Sequence, residues 1–226
     1  MSTNIQIAIV EDHAIVGKAI SDALVYDNGF DVVFLAENGV ELLYELKRNP
    51  VDVVILDLNM PVMSGSEVLP ILIEKHPKTK IIVLSSYDNQ LLTIDILRKG
   101  AHAYLSKLCC IDELIDAIHS VMNKGFYFTE KLPKELIDQF IETNDNKCVS
   151  YNAKLSSREL DVLKLICEEK CSREISDILH ISERTVENHR YKISKKIGTS
   201  HGIGMFVYAL KNGLAKITSD GKVDFT

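Results

Sequence analysis

The sequence predicts an α/β fold: a doubly wound, five-stranded parallel sheet followed by a second, all-α domain of four helices that includes a helix-turn-helix. Two observations lead there. Short apolar runs alternate with segments of helical period through roughly the first 125 residues, the pattern of a parallel sheet wound with helices. The runs are continuously apolar, as in Val53-Val54-Ile55-Leu56, which suits strands buried on both faces.

Taken in order, strands are expected at Ile5–Val10, Val32–Leu35, Val51–Leu58, Lys80–Ser85 and Ala103–Leu105. Val16, Ala19, Ile20, Ala23 and Leu24 fall at i, i+3, i+4, i+7 and i+8, one face of a first helix. Further helices are expected near 39–48, 65–76, 89–99 and 112–124, with Pro70 kinking the third or marking an irregular first turn. Residues 126–150 read as a linker, with a short helix over 133–142 and a polar stretch over 143–147. Beyond it, Ser156 and Glu159 have the spacing of a capping box that opens a helix to about residue 169. Ser172 is placed to cap a second helix to residue 180, and Ser182 a third to about residue 197. A fourth runs from about 202 to 212, with Gly213 placed to end it. The domains are therefore expected at 1–125 and 151–217, with a tail at 218–226.

The chain has 226 residues, 46% hydrophobic and 26% charged, a composition that folds rather than stays disordered. No apolar run approaches the roughly 20 residues that span a bilayer. The opening Met-Ser-Thr-Asn-Ile-Gln lacks the basic segment of a signal peptide. A cytoplasmic protein with no membrane partner is expected. Cys109, Cys110, Cys148, Cys167 and Cys171 lack the second ligand pair of a zinc site and are expected as reduced thiols. The net charge of −6 is unevenly spread: −9 over residues 1–150 and +3 over residues 151–226. On charge alone that +3 is a solvated surface, but it confines any nucleic-acid binding to the C-terminal third.

In doubly wound sheets ligands bind at the carboxyl ends of the strands. Glu11 and Asp12 follow the first strand, Asp57 and Asn59 the third, Ser85 the fourth and Lys107 the fifth. Any one of these alone is an ordinary polar residue at a loop start; the set at successive strand ends makes a pocket. Its three carboxylates repel one another. A hard divalent cation such as Mg²⁺, which prefers oxygen ligands, relieves that repulsion. A carboxylate can attack a phosphoryl group, and metal, ammonium and hydroxyl can neutralise the charge of the transfer.

Within the third C-terminal helix, Val186, His189, Ile193 and Ile197 form one stripe, suited to packing on the other helices. The opposite face carries Arg184, Glu187, Asn188, Tyr191 and Lys195. Arg184, Arg190, Lys192, Lys195 and Lys196 set five cations against Glu187. Such a helix, preceded by a short helix and a tight turn, fits the major groove of double-stranded DNA. The cations suit phosphates. Asn188 can pair with adenine, and Glu187 can accept from the amino group of cytosine.

Glu11-Asp12-His13, Asp57-Leu-Asn-Met-Pro61, Ser85 and Lys107 resemble the receiver domain of response regulators, a flavodoxin-like fold, over residues 5–124. The resemblance implies that Asp57 is the phosphoacceptor. It implies that Asp12, Asp57 and the backbone carbonyl of Asn59 bind Mg²⁺, with Glu11 acting mainly through metal-bound water. It also implies that Ser85 is the switch hydroxyl, Lys107 the phosphoryl partner and Tyr104 the switch aromatic. Residues 155–214 resemble the LuxR-type helix-turn-helix, through Leu-Ser-Ser-Arg-Glu-Leu-Asp-Val-Leu (155–163), Ser-Arg-Glu-Ile-Ser-Asp-Ile-Leu (172–179), Ile-Ser-Glu-Arg-Thr-Val-Glu-Asn-His-Arg (181–190) and Lys-Ile-Gly (196–198). That resemblance implies phosphate contact by Thr185, base reading from 183–197 and a dimer contact over 202–212.

The combination is similar to the NarL/FixJ group of response regulators. It implies a transcription factor phosphorylated by a sensor histidine kinase, a homodimer when phosphorylated, with RNA polymerase as a further partner. Phosphorylation adds charge near −2 and shifts a two-state equilibrium toward the form that prefers it. The chain departs from the pattern in places. Leu108 stands where many receivers have Pro. Tyr87, two residues after Ser85, either slows the loss of phosphate by crowding the hydrolytic water or simply lies on the surface. Glu187 stands where the family usually has Lys, and Lys192 where it usually has Asn, so the DNA target is not borrowed from relatives. Two other readings remain: a phosphohydrolase, which Asn59 disfavours because it cannot protonate a leaving group, and a phosphorylation-independent DNA-binding regulator whose receiver is an interaction module.

Overall fold

The computed structural model describes residues 4–26, 29–86, 90–127, 154–168, 170–198, 202–217 and 223–225. Tyr87, the linker helix expected over 133–142, the polar stretch 143–147 and Cys148 lie outside the described residues. The chain divides into two compact units, 1–122 and 123–226.

In the first unit, strands β1 (Ile5–Val10), β2 (Phe30–Ala36), β3 (Val53–Asp57), β4 (Lys80–Ser85) and β5 (Ala103–Ser106) alternate with helices α1 (Ala14–Tyr26), α2 (Gly39–Glu45), α3 (Gly65–Lys75), α4 (Gln90–Arg98) and α5 (Ile111–Asn123). The sheet is parallel throughout, in the order β2-β1-β3-β4-β5. The central strand β3 is buried along its whole length, which accounts for its unbroken apolar run. The edge strand β2 is buried only at its two ends, Phe30 and Ala36. Right-handed crossovers place α1 on one face and α2, α3 and α4 on the other, because the chain reverses direction across the sheet after β2. That reversal opens a crevice between the carboxyl ends of β1 and β3.

Local chemistry sets the helix starts. The Asn38 side chain accepts from the backbone N–H groups of Val40 and Glu41 at the start of α2. Ser64 and Glu67 form a reciprocal capping box at the start of α3. The helix runs on through Pro70. Between β3 and α3, Val62 sits in left-handed backbone, with φ 67°, and is 84% exposed. A β-branched residue there carries strain of about 1–2 kcal/mol. Val62→Asn, which tolerates this region and forfeits little contact, is expected to raise the stability of the first unit by about 1 kcal/mol. A urea midpoint equal to or below that of the wild type would contradict it.

The second unit contains α6 (Ser157–Cys167), α7 (Ser172–Leu179), α8 (Glu183–Ile197) and α9 (Gly202–Lys211), followed by β6 (Ala215–Ile217) and β7 (Val223–Phe225). Its core gathers Val162, Leu163, Ile166, Ile175, Val186, Ile193, Ile197 and Ala209. Two expectations are corrected. The region is not all helical: β6 and β7 pair antiparallel, and Asp220-Gly221 between them in the sequence is itself a hairpin signal. Nor does Ser172 cap α7. The cap is Cys171, whose Sγ accepts from the Glu174 backbone N–H while Glu174 accepts from the Cys171 N–H. Ser172 is the first residue inside the helix. Cys167 is a core residue, its thiol pushed up to about 12 by burial.

Candidate functional site

The strand ends of the parallel sheet converge as the crevice requires. Glu11 and Asp57 are both buried, each with a side chain 3% exposed. The Lys107 ammonium bridges them, 2.6 Å from Glu11 Oε2 and 2.9 Å from Asp57 Oδ2. The Lys107 backbone N–H donates to the carbonyl of Ser85 at 2.8 Å, so the loops after β4 and β5 are tied at their origins. Ser85 is fully buried and Tyr104 half-buried.

The electrostatics follow from burial and pairing. Burial pushes the Asp57 carboxyl above its usual value; Lys107 and a hydrogen bond from the Asn59 backbone oppose this only in part, and Glu11 adds to it. Burial alone would lower Lys107, but its bonds to Glu11 and Asp57 outweigh that and hold the ammonium above the ordinary lysine value. Asp57 Oδ1 is buried and takes no hydrogen bond among the described residues.

His13, to which the sequence reading assigned no role, joins this cluster. Its Nδ1 lies 2.8 Å from Asp12 Oδ1 and 3.2 Å from Glu11 Oε1, and the donor atoms of the three residues lie within 4.8 Å of one another. Hydrogen bonding to Asp12, and then Glu11, holds the exposed imidazole above its usual value. The carboxylates of Glu11 and Asp12, with Asp57 tied to Glu11 through Lys107, form an oxygen-rich donor set that fits a hard divalent cation.

Gly65 was also not singled out in the sequence. Its N–H donates to the Leu58 carbonyl at 3.1 Å. A Cβ on it would lie 2.1 Å from the Asp57 carbonyl oxygen and 2.8 Å from Leu58 Cα. The start of α3 thus rests directly on the backbone of Asp57 and Leu58.

In the second unit, α8 is capped by Ser182, whose hydroxyl accepts from the Thr185 N–H and contacts Thr185 Oγ1 at 2.8 Å. Arg184, Glu187, Asn188, Tyr191, Lys192 and Lys195 all stand exposed on α8. The Lys195 ammonium lies 5.0 Å from the Tyr191 ring centroid, a cation–π pair on that face. Val186, Ile193 and Ile197 are buried and His189 half-buried, the stripe read from the sequence.

Two of the five cations differ from expectation. Arg190 is half-buried, with a side chain 14% exposed and a guanidinium donating to the Lys170 carbonyl. Lys196 is committed to Glu159, 2.7 Å away, a carboxylate that also closes the capping box of α6. Burial alone would raise Glu159, but Lys196 and the Ser156 hydrogen bonds outweigh it and hold the carboxyl below its usual value. A lowered carboxylate pKa stabilises the fold fully above the ordinary value of about 4.3 and is lost as pH falls through and below it. The expected result is that Glu159→Gln loses less stability than wild type in urea unfolding between about pH 6 and about pH 3.5. Equal losses would contradict this.

Residues 7–119 match the response regulator receiver domain family. Residues 153–209 match the family of bacterial regulatory proteins of the luxR type. The chain is 33% identical to the oxygen regulatory protein NreC of Staphylococcus carnosus (strain TM300), over 92% of this chain and 98% of that protein. The chain belongs to the NarL/FixJ-type response regulators. It is also 31% identical to the transcriptional regulatory protein DegU of Brevibacillus brevis, over 94% of this chain and 96% of that protein. Among solved structures, RcsB of Salmonella typhimurium is similar at TM-score 0.53 and 25% identity, over 93% of this chain and 99% of that one. An RcsB–DNA complex matches with the same TM-score and identity, over 92% of this chain and 99% of that one. The response regulator therefore joins a receiver to a LuxR-type DNA-binding domain, and no helix among its described residues is long and apolar enough to cross a membrane.

Proposed function

We propose that this response regulator accepts a phosphoryl group on Asp57 from a sensor histidine kinase, in a Mg²⁺-dependent reaction, and thereby controls its dimerisation and sequence-specific DNA binding. The observation that carries the reading is the state of the Asp57 carboxylate. It is buried, Lys107 holds Oδ2 at 2.9 Å, and Oδ1 takes no hydrogen bond among the described residues. One oxygen is anchored, and the other keeps its lone pairs uncommitted by any hydrogen bond among the described residues.

In the reaction an Asp57 oxygen forms a bond to phosphorus as the phosphorus–nitrogen bond of a phosphohistidine breaks and the imidazole leaves. Mg²⁺ would be held by Asp12, Asp57 and the Asn59 carbonyl, with Glu11 through water. Its chemistry is to neutralise charge on the transferring group. Lys107 stays on a phosphoryl oxygen. Ser85 supplies a hydroxyl, and its movement lets the Tyr104 ring turn inward. Loss of phosphate is the same site running with water as the acceptor, and Asn59 offers no proton to a leaving group, so an independent hydrolase activity is not part of the proposal.

On the DNA side, Arg184, Lys192 and Lys195 contact phosphates with Thr185, while Glu187, Asn188 and Tyr191 face the bases. RcsB supports the dimeric form, since two RcsB dimers have been seen bound to two parallel DNAs; here α9 supplies the dimer contact. The protein acts in the cytoplasm, with RNA polymerase as a further partner.

Incubation with acetyl phosphate tests the reaction. Wild type with Mg²⁺ gains the mass of one phosphoryl group; wild type with chelator, and Asp57→Ala with Mg²⁺, do not. A wild type indistinguishable from Asp57→Ala would replace this reading with phosphorylation-independent DNA binding.

A further inference from the structure

Because Cys171 caps α7, the hydroxyl of Ser172 is released from that duty. It donates instead to Oε1 of Glu187, fifteen residues on, from the first helix of the helix-turn-helix to the second. The Arg190 guanidinium lies 3.9 Å from the same oxygen. Glu187 is nonetheless 62% exposed, and its Oε2 takes no hydrogen bond among the described residues. One oxygen of this carboxylate is held and the other is presented.

A carboxylate is a poor choice for generic DNA binding. It repels phosphate on a helix face otherwise lined by Arg184, Lys192 and Lys195. It can only accept, and in the major groove cytosine offers a donor at N4 without an acceptor beside it. An unrestrained Glu side chain would lose rotamer freedom on docking; one already held loses less.

We infer that Ser172 is a positioning residue that holds Glu187 to read the amino group of one cytosine in each DNA half-site, making the Ser172–Glu187 pair a determinant of sequence specificity. The inference rests on the reading of α8 as the base-reading helix and names the base and the residue behind it.

The test is selection of bound sequences from a randomised duplex library by the full-length, acetyl-phosphate-treated protein, wild type and variants. Wild type should enrich cytosine at a fixed half-site position. Glu187→Gln should weaken that enrichment by about tenfold, within the range of one lost base contact. Preferences at other positions should survive, and affinity for random DNA should be equal or higher, since an anion has gone. Ser172→Ala should weaken the same position by about threefold, as a held carboxylate becomes a free one. Ser172→Thr, which keeps the hydroxyl, should restore it. A Ser172→Ala preference identical to wild type, or a Glu187→Gln loss spread evenly over all positions, overturns the inference and leaves the pair as packing between two helices. Failure of wild type to retain any DNA even at low salt instead overturns the DNA-binding reading beneath it.

Discussion

Gly65→Ala is expected to cost the receiver about 3 kcal/mol and to slow phosphorylation of Asp57 by at least about tenfold. The cause is a backbone collision: the new methyl group would stand 2.1 Å from the Asp57 carbonyl oxygen and 2.8 Å from Leu58 Cα. Neither atom can rotate away. Either α3 lifts off β3 or the Asp57 backbone shifts, and both disturb the Asp57 carboxylate. Gly29 is the control. A methyl group there meets nothing within 4 Å, so Gly29→Ala should cost less than about 1 kcal/mol and leave the rate unchanged. Urea unfolding and the initial rate with acetyl phosphate check both. Equal effects of the two alanines would contradict the account.

Lys107→Met should slow phosphotransfer to Asp57 by at least about a hundredfold, the usual scale for losing a charge-stabilising group at a reacting centre. Two effects act together. The ammonium that neutralises the transferring oxygens is gone. Glu11 and Asp57, both buried, then face each other without their shared cation. The Asp57 carboxyl, already raised by burial, climbs further when the group opposing that rise is lost. The share protonated at any given pH rises, and the protonated acid is a poor nucleophile. Lys107→Arg should recover only part of the rate, because a planar fork does not replace a compact ammonium between two carboxylates. A Lys107→Met rate within about threefold of wild type would remove the residue from the chemistry.

The receiver site was legible because a parallel sheet converts order along the chain into position in space. Residues that follow buried runs arrive at one edge, so Glu11, Asp57, Ser85 and Lys107 could be grouped without coordinates. Ser156 with Glu159 and the buried stripe of α8 were legible for a related reason: capping and amphipathic spacing are local rules. What escaped was set by contacts between distant segments. Nothing local distinguishes Gly65 from a loop glycine; only the approach of α3 to β3 does. Lys196 reads as a groove cation until Glu159, 37 residues earlier, is brought against it. Cys171 was passed over because sulfur is an uncommon cap and Ser172 beside it a common one, and that error concealed the bond from Ser172 to Glu187. The β6–β7 pair escaped because three-residue strands show no periodicity.

The charge acquired at Asp57 is expected to govern occupancy of DNA by the second domain. Genome-wide mapping of DNA bound by wild type and by Asp57→Ala, expressed at equal levels in the same cells under an activating signal, tests it most directly. Removing a carboxylate whose ionisation is disfavoured by burial should leave the receiver folded, so lost binding would reflect the missing phosphoryl group. Discrete sites are expected for wild type, with loss of most of them in Asp57→Ala. Identical maps for the two proteins would contradict it.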